Sequence, residues 1–436
     1  MVPKGTAAGV PVMKKTYSSL AAREARLAFW MLLPAFTIVA AVILFPVVAN
    51  FWLSFKTVGL GDLRPPTATI REQVTEAPQQ PGDELVLLYR MRNSSRTVPI
   101  QHVEISAQLP SGLIPSRMPE HWQIENSTLT RVYPDGWEGG YTEDLEFQFT
   151  TAPEFFSPEV DARRPTNPQT TSRARNPLLS ANLTLENFRF VMSAREFWTV
   201  LRTSFVYPFL GAFLSIVLGI AAAQLLNRKF RGQGILRGLF LFPYVAPVIA
   251  VAFTWVFFLD PFSGTVNILA MELGIFEQPI SFLSERYYRV ELFGITVRLP
   301  LALTVVILFD AWRYFPFSFL FILARFQAIP DQLYESADVD GAGHFRKFFS
   351  ITLPQLYGVV TTLFLLRFMW TFNKFDDVFL LTGGAAGTRT LPIQVYDNAF
   401  GRANIGAGSA AAVILFVLLA VFMTLYFRTI REDIDE

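Results

Sequence analysis

Charged residues interrupt two otherwise apolar stretches of this chain, and their spacing could do chemistry. Asp310, Arg313, Tyr314 and Phe317 recur at three- and four-residue intervals, as do Arg367, Trp370, Thr371 and Lys374, with Asn373, Asp376 and Asp377 close by. On a helix such intervals place side chains on one face. Charges at membrane depth are costly, so they face a cavity or a partner. Aromatic rings beside hydrogen-bonding groups suit a polar, ring-shaped solute, whose apolar side stacks on the rings while its hydroxyls bond the polar groups. The same residues could equally pair among themselves, Asp310 with Arg313 or Arg367 and Lys374 with Asp377, locking two helices together. Both readings stand at this level.

Other chemistries find no support in the sequence. There are no cysteines, which excludes disulfides, thiolate metal sites and a cysteine nucleophile. His102, His121 and His344 are scattered without ligand spacing, so no metal site is expected. No Ser-His-Asp set or carboxylate pair suggests catalysis. No Gly-x-x-x-x-Gly-Lys-Ser/Thr occurs, and neither Gly341-Ala342-Gly343 nor Gly383-Gly384 is followed by Lys-Ser or Lys-Thr, so no phosphate cradle is expected. A net charge of +1 argues against nucleic acid as a partner.

The elements that must position these residues are membrane spans. The chain is 52% hydrophobic and 17% charged, with 43 Phe, too apolar for a soluble protein of 436 residues. A spanning helix needs about 20 mostly apolar residues. Stretches 27–55, 203–226, 239–259, 299–323, 356–381 and 405–427 qualify, which predicts six spans. The first lacks a small-residue cleavage site and is read as a retained helix. Pro243 and Pro247 predict a bend in the third. Lys4, Lys14, Lys15, Arg23 and Arg26 precede span one, and Arg228, Lys229, Arg231 and Arg237 separate spans two and three. Arg325, Arg346 and Lys347 lie between spans four and five, and Arg428 and Arg431 follow span six. All fall on one side if both termini are cytoplasmic.

The insertion at 57–195 then lies outside the membrane. It holds 14 of the 28 prolines, a compositional break that marks a separate domain. Leu85, Leu87, Tyr89 and Met91 alternate with Val86, Leu88, Arg90 and Arg92; similar alternation runs through 102–109 and 145–149. Turn sequences separate these runs, so the reading is antiparallel strands with one buried face. A β-sandwich over about 80–152, resembling small extracellular immunoglobulin-like modules, and a linker over about 153–180 are expected.

The segment 335–354 is polar and rich in small residues, wedged between spans four and five. Glu335, Ala337, Asp340, Gly341, Ala342, Ile351, Leu353 and Pro354 fall on the pattern Glu-Ala-Ala, Asp-Gly-Ala, Ile-x-Leu-Pro, with Ser336 where Ala is usual. Pro330 and Asp331 suit a helix start and Gly341 a helix stop. This segment resembles the EAA loop of permease subunits in bacterial ABC importers. The run-in Leu185-Glu186-Asn187-Phe188 with Phe197-Trp198, then Gly264, Asn267 and Leu269, and Leu380-Leu381-Thr382-Gly383-Gly384 extend the likeness to the large permease subunit of maltose/trehalose-type sugar importers.

The resemblance implies an all-α polytopic membrane protein, with a type I ABC importer core at 196–428 and an inserted extracytoplasmic β-domain. Residues 1–26 would be a cytoplasmic segment, 27–56 the first transmembrane helix, 330–354 the cytoplasmic coupling loop and 429–436 a cytoplasmic tail. Glu335, Ser336, Ala337, Asp340, Gly341 and Ala342 would meet the ATPase. Asp310, Arg313, Tyr314, Phe317, Arg367, Trp370, Thr371, Asn373 and Lys374 would be candidate carbohydrate contacts, several charged where the maltose protein is neutral. Implied partners are a second homologous permease, two cytoplasmic ATP-binding subunits using ATP and Mg, an extracytoplasmic solute-binding protein and membrane lipid, in the bacterial cytoplasmic membrane. The chain itself would bind no cofactor. A membrane-protein insertase with an outer β-sandwich is the alternative, and it leaves the 335–354 pattern unexplained.

Overall fold

The computed structural model describes residues 19–96, 98–158, 160–179, 182–228, 230–292 and 295–435. Lys4, Lys14, Lys15 and Lys229, used above for orientation, lie outside them. Two compact units divide the chain, Met1–Trp52 and Leu53–Glu436.

The first unit is helical: α1 (Ser19–Val39), a π-helical turn (Ala40–Leu44) and the start of α2 (Phe45–Ser54). The π turn sits just before Pro46, whose ring would clash with the Val42 carbonyl in a regular ladder. The Phe45 amide instead reaches back to the Ala40 carbonyl, one residue further than α geometry, and the helix continues.

The second unit begins with eight strands: β1 (Ala68–Glu76), β2 (Glu84–Asn93), β3 (His102–Gln108), β4 (Leu113–Arg117), β5 (Gln123–Glu125), β6 (Thr128–Tyr133), β7 (Thr142–Thr151) and β8 (Gln169–Arg173). They form two antiparallel sheets, ordered β1-β2-β7-β4 and β5-β6-β3-β8. One apolar core serves both, built from the inward set Leu85, Leu87, Tyr89 and Met91 of β2, Val103 and Ile105 of β3, and Phe147 and Phe149 of β7. Phe147 packs between Tyr89 and Trp122, ring centres 4.6 and 5.0 Å away.

The strands overrun the expected limits at both ends, from residue 68 rather than about 80, and to 173 where a linker was expected. Strand β8 reads Gln-Thr-Thr-Ser-Arg and buries no large apolar side chain, so period-two hydrophobicity could not reveal it. Side chains hold it instead. Thr170 Oγ1 donates to the Ala68 carbonyl at 2.8 Å, and Ser172 Oγ accepts from the Ala68 amide at 3.3 Å. Just upstream, the Glu72 carboxylate accepts from the Thr166 amide (3.1 Å), the Thr166 hydroxyl (2.7 Å) and the Asn167 amide (3.0 Å). Burial raises the Glu72 pKa despite these bonds.

The two ends of the insertion close on each other. Asn187 Nδ2 donates to the carbonyls of Ser54 (2.9 Å) and Lys56 (2.7 Å), and the Thr184 amide to Phe55 O (2.9 Å). The Gly406 amide meets Val58 O at 2.9 Å, and a Cβ on Gly406 would lie 2.1 Å from Lys56 O.

The helical part comprises α3 (Glu186–Met192), α4 (Phe197–Leu226), α5 (Gln233–Val245), α6 (Val248–Phe258), α7 (Thr265–Glu272), a hairpin β9 (Tyr288–Leu292) with β10 (Ile295–Leu299), and α8 (Leu301–Phe326). Then come α9 (Asp331–Val339), α10 (His344–Lys347), α11 (Leu353–Phe372), α12 (Asp376–Thr382), α13 (Leu391–Tyr396) and α14 (Ile405–Asp435). Across the whole chain, five described helices are long and apolar enough to span a membrane, six if the α5–α6 pair counts as one. That pair, expected as one bent span, is broken by 91°. Pro247 lacks a ladder N–H and pushes Ala246 into extended backbone (ψ 143), which ends α5.

Helices α4 and α8 pack through small residues. A Cβ on Gly211 would lie 2.6 Å from Asp310 Oδ2, and one on Gly219 2.7 Å from Ser318 Cβ. Where lipid is as apolar as the side chains, close backbone approach of this kind drives helix association.

Phe147→Ala should cost about 3–5 kcal/mol of insertion stability. Denaturant melting followed by tryptophan fluorescence checks this, with Trp122 as a neighbouring reporter; an unchanged midpoint would contradict the shared core.

Candidate functional site

Asp310 sits on the α8 face pressed against Gly211, with no room for water. Its Oδ2 accepts from Arg367 Nη2 of α11 at 2.7 Å, and the two side chains are 0% and 1% exposed. Thr371, one turn beyond Arg367, adds a 3.4 Å bond to Asp310 Oδ1. The remaining charges converge on Asp377, in the first turn of α12. Arg313 Nη1 lies 2.9 Å from Asp377 Oδ1, and Lys374 Nζ 2.7 Å from Oδ2. Tyr314 bridges the two groups. Its hydroxyl bonds Lys374 Nζ and Arg313 Nη1, while the Arg367 guanidinium lies over its ring, 4.0 Å from the centre.

The charges therefore pair with one another, two helices apart, as the interlocking reading expected. The Lys374–Asp377 and Arg367–Asp310 pairs match it. Arg313 goes to Asp377 rather than Asp310, so Asp377 is the hub of the second group, where the sequence had suggested only a partner for Lys374. Asn373 stands apart: it is exposed and donates to the Met369 carbonyl at 2.9 Å.

Next to the ion pairs lies an aromatic wall. Phe317 packs on Trp370 with ring centres 5.1 Å apart, and Tyr244 stands 5.8 Å from Tyr314 and 6.0 Å from Phe317. Trp370 is 46% exposed and Tyr244 39%. Tyr244 was missed by sequence reasoning. It arrives here because α5 breaks two residues later, and its position between Pro243 and Pro247 was the available signal.

At the opposite turn of the α8–α11 connection, α9 ends where the sequence placed a stop. Gly341 adopts φ +72, and the Ala342 amide returns to the Ala337 carbonyl at 2.9 Å. Tyr334 bonds Thr352 at 2.9 Å, which fastens α9 to the start of α11, and Lys347 of α10 pairs with Asp338 of α9 at 2.5 Å. Arg325 of α8 meanwhile holds Gln355 through its carbonyl (3.0 Å) and Oε1 (3.1 Å). No described residue of α9 or α10 is buried. Glu335, Ser336, Asp340 and Gly341 are exposed, and a Cβ on Gly341 or Gly343 would meet nothing within 4 Å. Two apolar side chains on this polar segment, Val339 and Phe345, are 88% and 83% exposed and were not singled out in the sequence.

Just before α11 proper, residues 348–352 form a π turn, again ahead of a proline, Pro354. The chain thus runs from α10 into α11 without a break, so α10 and Arg367 lie on one continuous helix.

Residues 215–432 match the family described as "Binding-protein-dependent transport system inner membrane component". The trehalose/maltose transport system permease protein MalF of Thermococcus litoralis is 34% identical over 248 residues, 57% of this chain and 79% of that protein. The trehalose transport system permease protein SugA of Mycobacterium tuberculosis is 29% identical over 262 residues, 59% of this chain and 79% of that protein. Among solved structures, a chain of a bacterial ABC transporter involved in the import of the acidic polysaccharide alginate superposes with a TM-score of 0.51 at 19% identity, covering 58% of this chain and 85% of its own. The last shares the fold.

Removing one partner of a buried pair strands the other charge. Asp310→Asn or Arg367→Met alone should cost about 3–5 kcal/mol, and the double variant should be less damaged than the sum. Thermal melting in detergent checks this, and simple additivity would refute the pairing.

Proposed function

This chain belongs to the binding-protein-dependent transport system inner membrane component family, and from that premise we propose that it is the permease subunit of an ATP-binding cassette importer that admits a carbohydrate. The observation that carries the mechanism is the exposed α9–α10 segment, fastened at both ends to the helices that bear the ion pairs and the aromatic wall. The family match spans this segment and does not favour the insertase reading.

The partners in this proposal are a second homologous permease, two ATP-binding subunits and a solute-binding protein. Helix α9, with Glu335 and Ser336 exposed and Gly341 ending it in open space, seats in a cleft of an ATP-binding subunit. Val339 and Phe345 supply apolar anchors that water does not favour on a free surface. Closure of the ATP-binding subunits moves the segment, and the tie from Arg325 to Gln355 makes α8 and α11 move with it. Both termini and this segment are then cytoplasmic, in keeping with the basic flanks, and the insertion is external. Read as a β-sandwich, the insertion is a rigid outer module whose closed ends set its position on the helical core.

At mid-membrane the solute lies against Trp370, Phe317 and Tyr244. A sugar ring presents C–H groups to the aromatic faces and hydroxyls to polar side chains at the rim, Asn373 and the Tyr314–Lys374 edge. The buried charges beneath are already paired with one another, so their part is to hold Tyr314 and the two helices in register. The second permease supplies the other wall, and alternation of access follows as the two bundles rock about this site.

Gly341→Val strains a left-handed position, and Glu335→Lys reverses a charge on the docking face. Each should abolish uptake and solute-stimulated ATP hydrolysis in the reconstituted transporter while the subunit still inserts and assembles. Wild-type uptake in both would sink the coupling assignment. Trp370→Ala should raise the apparent KM for uptake roughly tenfold, in line with loss of one ring contact. Transport kinetics with unchanged basal ATP hydrolysis would check it; an unaltered KM would remove Trp370 from the site.

A further inference from the structure

At the end of the core from which the insertion emerges lies a cavity of about 310 Å³, separate from the ion-pair cluster. Its lining includes Glu196 and Thr199 of the α4 start, Arg286 ahead of β9, and Ala386, Gly387 and Arg389 from the α12–α13 connection. That connection is wound left-handed at Gly383 (φ 62), Gly384 (φ 79), Ala386 (φ 51) and Gly387 (φ 80). Ala386 holds this conformation without glycine's freedom, so the loop around it dictates the shape.

The loop satisfies most of its own amides. Gly383 donates to the Phe379 carbonyl (3.0 Å), Ala385 to Thr382 (3.0 Å), Thr388 to Ala385 (3.0 Å), and Gly384 to the Thr382 hydroxyl (3.3 Å). The successive amides of Ala386 and Gly387 have no acceptor among the described residues. Beside them lies Arg286. A Cβ on Gly387 would stand 3.0 Å from its Nε, and the φ of +80 itself favours glycine there. Arg389 is matched by Asp397 at 2.9 Å and, more loosely, by Glu196 at 3.8 Å. Arg286 is exposed, lies 5.4 Å from the centre of the Tyr287 ring and has no carboxylate within ion-pair distance among the described residues.

Two adjacent amides without acceptors, beside a guanidinium without a carboxylate partner, suit an oxyanion. We propose that this pocket binds the carboxylate of a sugar acid at the outer face of the transporter. The proposal deepens the importer reading and rests on it for the words outer and transporter. It also assigns charge selection to a site that can perform it. The mid-membrane cations are all paired with Asp310 or Asp377, whereas Arg286 has only the Tyr287 ring beside it and no carboxylate partner among the described residues. Helix α12 joins the two places, with Asp377 at its start and Gly383 just past its end.

The test titrates the full-length chain in detergent with glucuronate and with glucose, following binding calorimetrically. No solute-binding protein is present, so a free sugar carboxylate is distinguished from an acidic side chain of a docked protein. Glucuronate should bind and glucose should not. Arg286→Gln should weaken glucuronate binding roughly tenfold or more while melting like the parent without ligand. Gly387→Ala, which sets a methyl against the guanidinium, should weaken it as well. The proposal is overturned if neither sugar binds, if both bind alike, or if glucuronate binds both variants as it binds the parent. Neither ATP hydrolysis nor transport enters the measurement, so a negative result leaves the importer assignment standing.

Discussion

Everything in the helical core turns on how it keeps charge at membrane depth. Three cations and two carboxylates lie on α8, α11, the turn after it and the start of α12, in surroundings that penalise any unpaired charge. The solution is mutual: Asp310 takes Arg367, Asp377 takes both Arg313 and Lys374, and Tyr314 ties the groups through its hydroxyl and its ring. Such a network adds little net stability over a well-packed apolar core, but it is intolerant of mismatch, because a one-residue slip of α11 against α8 would strand several charges at once. It therefore fixes register. That same register brings Trp370 beside Phe317, so the aromatic wall inherits its geometry from the ion pairs.

Force applied to the connection between α8 and α11 meets the same constraint from the other end. The α9–α10 segment is short, capped by Gly341, and bonded to α11 through Tyr334 and Thr352. Few torsions lie between it and Arg367, and the π turn before Pro354 absorbs the proline without a hinge. A displacement of the segment must then carry α11, and through the ion pairs α8, as one body. The broken α5–α6 pair is different. Its 91° break interrupts the hydrogen-bond ladder, and Tyr244 beside that break touches the aromatic wall. If any part of the wall shifts relative to the rest with little strain, it is this one.

What could be read from the sequence divides along physical lines. Long apolar runs announced the spanning helices, since lipid demands continuous hydrophobicity. The charged positions stood out at helical spacing, and the glycine that ends α9 was legible because its dihedral was implied by its neighbours. Strand β2 was visible from alternation, whereas β8 was not, because its stability comes from hydroxyls bonding a neighbouring backbone and from the Glu72 carboxylate gripping the segment before it. The choice between Arg313 and Arg367 as the partner of Asp310 stayed open for a similar reason. Spacing along α8 favours Asp310, three residues away, but pairing is decided by a third element, α12, whose approach is not encoded in either span. Val339 and Phe345 were overlooked because a single exposed apolar residue in a loop carries no periodic signal.

The pairing within the buried network also bears on solute selection. Each of these cations already faces a buried carboxylate, so the gain from an added solute carboxylate is offset by its repulsion from Asp310 and Asp377 in a low-dielectric setting. Mid-membrane recognition by this chain is thus better suited to shape and stacking than to charge. In the division of labour proposed above, discrimination between neutral and acidic sugars falls to the outer end, to groups without a partner of opposite charge. Arg286 and the amides of Ala386 and Gly387 meet that condition among the described residues, which is why the division of labour follows from the packing of charges rather than from the identity of any one solute.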